Sequence, residues 1–173
     1  MRHEQRDLTI IGAGPTGLFA LFYAGMRGAT AQIVDALDHP GGQLAALYPE
    51  KLIFDVAGFP EVHAKDLVKA LTQQAARFGQ PVHCGQTVTG LDTEDGHFVL
   101  RTAADEFPTS SIVIAAGIGA FSPRLLPQAC AGPWYGRGIE DRVLDPAKFV
   151  GQHVVIIGGG DSAFDWAHQL QGR

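Results

Sequence analysis

The hydrophobic and polar positions of the first 35 residues describe a strand, a turn, a helix and a second strand. Residues 8–11 are an apolar run, residues 12–17 interrupt it with three glycines, and residues 18–27 continue as an apolar helix. A second apolar run, residues 31–35, follows Gly28. This order predicts a βαβ unit with parallel strands and a right-handed crossover.

Further along, the pattern predicts a helix over residues 64–78 and a strand over residues 81–84. Residues 86–92 and 97–102 alternate on either side of a Gly-containing turn, which is typical of a β-hairpin. Residues 110–115 form another apolar strand. The stretch 37–60, interrupted by Pro and Gly, is predicted to be loop.

The opening pattern returns near the end of the chain. An apolar run at residues 153–157 is followed by a glycine turn and a helix over residues 163–170. Two such turns predict two nucleotide-binding domains: residues 1–120 as the first, 121–151 as a connector and 152–173 as the start of the second. Since only 15 residues follow Gly158, we expect residues 152–173 to be loosely held and the 173-residue chain to be inactive on its own.

The first turn has the spacing of a dinucleotide-binding fingerprint. Gly12 permits a tight turn, Gly14 admits a pyrophosphate, and Gly17 lets the helix pack against the sheet. The helix N-terminus offers free N–H groups to phosphate, and Asp35 at the end of the second strand can bind ribose hydroxyls. FAD and NAD both use this motif, and a ligand-free βα turn is the alternative.

The second turn carries the same motif with alanine in third place, at Gly158, Gly160 and Ala163. Its ribose-binding residue is expected about 20 residues beyond the turn, past Arg173. The choice between NAD and NADP is therefore open.

Composition disfavours several classes of function. A net charge of -5 without a basic cluster disfavours nucleic-acid binding. Residues 8–26 carry no charge, but their glycines disfavour a membrane span, so the cytoplasm is the expected compartment. The seven histidines show neither metal-ligand spacing nor a Ser-His-Asp set. No catalytic side chain or metal site is predicted, and the chemistry would belong to a cofactor.

Six motifs follow one another in a specific order: PGGQ at 40–43, YPEK at 48–51, DVAGFP at 55–60, AAGIGAF at 115–121, GGGDSA at 158–163 and DSAFDW at 161–166. With the first glycine turn, they resemble the first half of a thioredoxin-reductase-like ferredoxin–NADP reductase. The resemblance implies an α/β fold, in which a Rossmann-like FAD-binding domain of three layers has a parallel sheet and a β-hairpin insertion. The start of a second Rossmann-like, NAD(P)-binding domain follows.

The resemblance further implies FAD in the first domain, NADPH in the second, a ferredoxin or flavodoxin-like electron acceptor and a homodimer. It assigns these contacts: Thr16 at the FAD pyrophosphate, Asp35 at its ribose, Gln43 and Tyr48 near the isoalloxazine, Val88 at the adenine through its backbone, and Phe121 at the flavin border. Each has an ordinary alternative. Thr16 would cap the helix, Val88 would be a strand residue, Phe121 would pack in the core, and Gln43 and Tyr48 would be loop surface.

The chain departs from thioredoxin reductases just before the second glycine turn. Those enzymes have a redox CxxC in that region, because a dithiol must relay electrons to the substrate. Residues 138–145 contain no sulfur, and the two cysteines, Cys84 and Cys130, form no CxxC pair. Electrons would then pass directly from flavin to a one-electron carrier. A disulfide reductase with thiols beyond residue 173 and a non-catalytic flavin module remain alternatives.

Overall fold

The computed structural model describes residues 1–119 and 123–171, and the chain divides into two compact units, Met1–Ser122 and Pro123–Arg173. The helices of the first unit are α1 (Pro15–Met26), α2 (Gly42–Ala46) and α3 (Ala64–Ala75), the last continued by a 3₁₀ turn, Ala76–Phe78. Its strands are β1 (Arg6–Ile11), β2 (Ala31–Val34), β3 (Leu52–Ile53), β4 (Val62–His63), β5 (Val82–His83), β6 (Gly90–Glu94), β7 (His97–Arg101) and β8 (Glu106–Ile114).

Six strands form one mixed sheet in the order β5-β2-β1-β8-β7-β6. The strands β5, β2, β1 and β8 are parallel where they pair, and β6, β7 and the start of β8 are antiparallel. The βαβ unit and the hairpin predicted from the sequence are therefore confirmed. The α/β, Rossmann-like class of the first domain is confirmed as well.

The alternation of side chains along β1 and β2 divides the core between the two faces of the sheet. Ile10 and Ile33 pack with Leu18 and Leu21 of α1, and all four side chains are fully buried or nearly so. On the other face Val34 packs with Leu100 and Phe107 from the antiparallel strands. The hairpin thus covers the face that the helices leave open.

Strand β8 is longer than the sequence pattern indicated, because it has a different partner in each half. From Glu106 to Thr109 it pairs antiparallel with β7, and from Thr109 to Ile114 it pairs parallel with β1. The apolar run at residues 110–115 marks only the second half, which enters the parallel sheet.

The prediction that residues 37–60 are entirely loop is wrong. Helix α2 and strand β3 lie inside this stretch, and β3 pairs antiparallel with β4. Both elements are too short, at five and two residues, for the local pattern to indicate them. Backbone bonds from Ala64 N to Lys51 O (2.9 Å) and from Lys65 N to Pro49 O (3.0 Å) fasten the stretch to α3.

The second unit contains two 3₁₀ turns, Ala129–Trp134 and Pro146–Phe149, and helix α4 (Asp161–Leu170). The strand predicted at residues 153–157 is wrong: this run has no regular structure, and Val155 and Ile157 are 85% and 71% exposed. A strand needs a neighbour to satisfy its backbone, and the described part of the unit has none. Across both units, no helix in residues 1–119 or 123–171 is long and apolar enough to cross a membrane.

Candidate functional site

A cavity of about 340 Å³ opens at the carboxyl ends of the four parallel strands. Its walls are the segments that follow β1, β2, β5 and β8, together with part of α2. They comprise residues 11–12, 14–16, 34–37, 42–43, 46–47, 86–88 and 115–119. Strand order reverses beside β1, with β2 on one side and β8 on the other. In open α/β sheets this is where ligands bind.

The glycine turn after β1 is packed too closely for side chains at two of its three positions. Gly12 has φ +107°, and a Cβ there would lie 2.4 Å from Ala115 O. A Cβ on Gly17 would lie 1.8 Å from Gly12 O. The close packing of the protein backbone therefore requires glycine at both positions.

Gly14 differs from the other two. Its φ of -71° is ordinary, and a Cβ there would meet only the Gly42 Cα, at 3.9 Å. Since Gly14 borders the cavity and the fold tolerates a Cβ at this position, its missing side chain leaves room for a ligand rather than for protein atoms.

Helix α1 points its N-terminus at the cavity, with Gly14 as the N-cap and Pro15 in the first turn. The first N–H groups of a helix have no intrahelical acceptor and carry partial positive charge. Thr16 is exposed and lines the cavity. The alternative that Thr16 caps the helix is wrong, because the N-cap is Gly14 and no side chain caps it.

Asp35 is only 8% exposed and lines the cavity directly after β2. Its Oδ1 accepts a hydrogen bond from Leu37 N at 2.7 Å, and its Oδ2 accepts one from Ala13 N. The carboxylate therefore holds the glycine turn, and its remaining lone pairs can accept from a ligand's hydroxyls.

A second pair of glycines closes onto the first turn. Gly41 N donates to Ala13 O at 2.8 Å, and a Cβ on Gly42 would lie 2.9 Å from the Gly14 Cα. The next residue, Gln43, lines the cavity, and its Nε2 would be 3.1 Å from a Cβ on Gly117. Gln43 thus lies beside the segment that follows β8.

The remaining predicted residues fall in different places. Val88 lines the cavity and packs against the Val34–Leu100–Phe107 cluster. Tyr48 is half-buried and is not among the described residues that line the cavity; the Lys51 ammonium lies 5.5 Å from its ring centroid. Phe121 lies outside the described residues.

The second glycine turn repeats the local geometry of the first. Gly158 has φ +149°, as Gly12 has +107°. Gly160 is the N-cap of α4 with φ -90° and ψ 174°, close to the φ -71° and ψ -178° of Gly14. A Cβ on Gly158 would be 3.5 Å from the Ala163 Cβ. The second turn therefore accommodates an alanine, Ala163, at the position that Gly17 occupies in the first turn.

Among the described residues, the thiols and potential metal ligands form no further reactive cluster. Burial, and then the charges of Asp35 and Asp38, raise the pKa of the Cys84 thiol, which disfavours the nucleophilic thiolate. Cys130 is exposed. Within residues 1–119 and 123–171, no three His, Cys, Asp or Glu side chains are grouped to hold a metal ion.

Sequence reasoning overlooked Gln86 and Leu37, which also line the cavity. Their position in the sequence could have indicated them, because each follows shortly after the end of a parallel strand. In open α/β sheets these strand ends face the ligand. The sequence could identify the strands, but not which following residues turn toward the cavity.

Known proteins resemble the chain over most of its length. A family model described as pyridine nucleotide-disulphide oxidoreductase matches residues 6–172. A ferredoxin–NADP reductase of Thermus thermophilus is 48% identical over 171 residues, covering 98% of this chain and 51% of the relative. A ferredoxin–NADP reductase 2 of Bacillus subtilis is 46% identical, covering 99% and 52%. The chain therefore spans about half the length of the curated relatives it matches.

Solved structures share the fold. The bacillithiol disulfide reductase of Staphylococcus aureus aligns with a TM-score of 0.71 at 18% identity, covering 97% of this chain and 54% of that one. The thioredoxin reductase of T. acidophilum aligns with a TM-score of 0.63 at 24% identity, covering 79% and 42%.

Proposed function

The chain belongs to the pyridine nucleotide-disulphide oxidoreductase family, and from that premise we propose that it is the FAD-binding part of a ferredoxin–NADP reductase. In this proposal, electrons pass from NADPH through FAD to ferredoxin or a similar one-electron carrier. Relatives named ferredoxin–NADP reductase, 46–48% identical over nearly the whole chain, support the assignment.

The observation that carries the proposal is the cavity at the carboxyl ends of the parallel strands. It joins the open space left by the missing side chain of Gly14, a helix N-terminus and the buried carboxylate of Asp35. These are the three features that a dinucleotide with a pyrophosphate and a ribose requires. The residues present thus fit FAD.

Each part of the cavity has a proposed role. Gly14 leaves space for the pyrophosphate, the N–H groups of α1 donate to it beside Thr16, and Asp35 accepts hydrogen bonds from the ribose. Val88 borders the adenine through its backbone, while Gln43 orients the flavin end. Bound FAD would supply the redox chemistry, the acceptance of a hydride and the release of single electrons. Tyr48 and Phe121 stay in the proposal as flavin neighbours by resemblance alone.

We propose NADPH as the ligand of the second glycine turn, at Gly158, Gly160 and Ala163. The shared backbone geometry of the two turns supports this proposal. The proposal includes a homodimer, as the resemblance implies, and a cytoplasmic location. The sulfur-free segment 138–145 favours a one-electron carrier over a disulfide substrate.

Turnover is tested in a hybrid that joins residues 1–173 to the remaining half of the Thermus thermophilus relative. NADPH should bleach its flavin, and ferredoxin should restore the colour. The Cys84→Ala and Cys130→Ser double variant should retain at least half of the rate, because neither thiol takes part. Reduction of a disulfide in place of ferredoxin, or loss of turnover in the double variant with FAD retained, would contradict the proposal.

A further inference from the structure

Gln86 uses its backbone and its side chain to join two parts of the first unit. Its N–H donates to Asp35 O at 2.8 Å, directly beside the carboxylate that lines the cavity. Its side-chain Nε2 donates to Asp105 Oδ2 at 2.8 Å, and its Oε1 accepts from Thr102 Oγ1 at 2.6 Å. Gln86 therefore ties the segment after β5 to the turn between β7 and β8.

The β7–β8 turn is itself held in one conformation. Thr102 N donates to Asp105 O at 2.9 Å, and Asp105 N donates to Thr102 Oγ1 at 3.0 Å. The amide of Gln86 consequently meets a donor and an acceptor that are already in place, and the geometry admits only one orientation of the amide.

Residues 86–88 form one wall of the cavity, and their backbone is fixed at both ends. Gly85 N donates to Leu37 O at 2.7 Å and Thr89 N donates to Arg101 O at 2.8 Å. Val88 lies between these bonds. Val88 packs against Leu100 and Phe107 of the antiparallel strands, and the side chain of Gln86 adds hydrogen bonds from the wall to the β7–β8 turn.

We propose that Gln86 is a positioning residue for the adenine end of FAD, acting through the wall formed by residues 86–88. This inference rests on the proposed function. Gln86 holds Thr87 and Val88 at the distance from Asp35 that the adenosine moiety requires, and loosening its amide contacts widens the cavity without removing any atom that contacts the ligand.

The pairing of one amide with one carboxylate makes the inference testable by exchanging the two groups. Gln86→Glu places a second carboxylate against Asp105 at hydrogen-bond distance, so the two repel at neutral pH. At lower pH a shared proton restores the bond. Adding Asp105→Asn restores this hydrogen bond at both pH values with donor and acceptor reversed. The amide of Asn at position 105 then donates to one carboxylate oxygen of Glu at position 86, and Thr102 still donates to the other oxygen.

Other charged or ionisable groups lie near the pair. The Met1 ammonium lies 3.0 Å from Asp105 Oδ1 and His3 Nε2 lies 3.7 Å from the same oxygen. The further neighbours are His83 on β5, Arg6 on β1 and Asp35 after β2. Measuring the unchanged chain and Asp105→Asn at each pH separates their effects from that of the introduced carboxylate.

The experiment measures FAD dissociation constants calorimetrically at pH 5.5 and 7.5 for the full 173-residue chain and its variants. Gln86→Glu should weaken FAD binding at least tenfold at pH 7.5 and by less than threefold at pH 5.5. The Gln86→Glu/Asp105→Asn chain should bind within threefold of the unchanged chain at both pH values. Gln5→Glu, which adds the same charge at an exposed position outside the cavity, is the matched control.

Hydrogen exchange of the FAD-free chain provides a readout that needs no cofactor. Amides 87–89 should exchange faster in Gln86→Glu at pH 7.5 and return to the original rate in the double variant. If the unchanged chain fails to bind FAD, the proposed function falls and this inference with it. If it binds FAD and Gln86→Glu binds equally well, the inference alone is overturned. If Gln86→Glu does not fold, the double variant tests the inference instead. A double variant that folds but binds FAD more than tenfold more weakly than the unchanged chain overturns the inference.

Discussion

Asp35 lies where the glycine turn, the end of β2 and the cavity meet. Its place could be predicted from the sequence, because an acidic residue at the end of the second strand of a βαβ unit faces the ligand edge. Its hydrogen bonds to Ala13 N and Leu37 N could not, since they depend on how two loops close. Gln86 was missed for the same reason, because its partners lie in a turn 16 and 19 residues further on.

His83 makes the stability of the first unit depend on pH. Its ring lies 4.6 Å from that of His3 and 5.0 Å from that of Phe107, and its Nε2 is buried without a hydrogen-bond partner. Burial first, and then the charge of His3, lower the pKa of His83 from its ordinary value of 6.5. Below that pH the unfolded chain takes up a proton that the folded chain resists, so stability falls as pH falls.

We therefore predict that the urea midpoint of unfolding is lower at pH 5.5 than at pH 7.5, and that this difference shrinks in His83→Phe. Phenylalanine keeps an aromatic ring beside Phe107 but cannot be protonated. The carboxylates of Asp7 and Asp105, whose pKa values are lowered from 3.8, lose their contribution only at more acidic pH. Far-UV circular dichroism follows the unfolding. An undiminished pH difference in the variant would contradict the prediction.

At the scale of elements, local periodicity predicted α1, α3 and the hairpin, because each is specified by residues close in sequence. It failed where an element is too short to show a period or has more than one partner. The strands β3 and β4 have two residues each, and β8 has a different partner in each half. Residues 153–157 have the composition of a buried strand, yet composition supplies no partner strand.

The packing of α1 against the glycine turn provides a test at this scale. A Cβ on Gly17 would lie 1.8 Å from Gly12 O, which is backbone and cannot rotate away. We predict that Gly17→Ala lowers the free energy of unfolding by about 1–3 kcal/mol, the usual cost of overpacking. Gly14→Ala is the control with ample space and should cost less than half as much. Equal urea midpoints for Gly17→Ala and the unchanged chain would show that α1 does not pack this closely.

For the whole molecule, strand order explains why four separate segments meet at one cavity. The strands β2 and β5 lie on one side of β1, and β8 lies on the other. Because these strands are parallel where they pair, the loops that follow them reach the same edge of the sheet. The sequence motifs at residues 12–17, 40–43 and 115–121 are distant in the chain and could be connected only by this topology. Gly42 and Gln86 also line the cavity. No single motif therefore specifies all of the cavity walls.

The central claim is that this cavity holds FAD at Gly14 and Asp35. Isothermal titration of the 173-residue chain with FAD tests it most directly, with FMN, which lacks the adenosine, as the comparison ligand. We predict that FAD binds more tightly than FMN. Gly14→Ala should weaken FAD at least tenfold, because its Cβ occupies the space of the pyrophosphate. Asp35→Ala should cost about 1–3 kcal/mol of binding through lost hydrogen bonds to the ribose.

Gly90→Ala serves as the control, since it adds the same methyl group to β6, outside the cavity, where the nearest atom is the Arg101 Cβ at 3.7 Å. Circular dichroism should show that Gly14→Ala folds like the unchanged chain. We predict that the unchanged chain binds FAD tightly, that Gly14→Ala weakens this binding and that Gly90→Ala does not. FAD binding of equal strength in all of these chains, or no preference for FAD over FMN, would contradict the account.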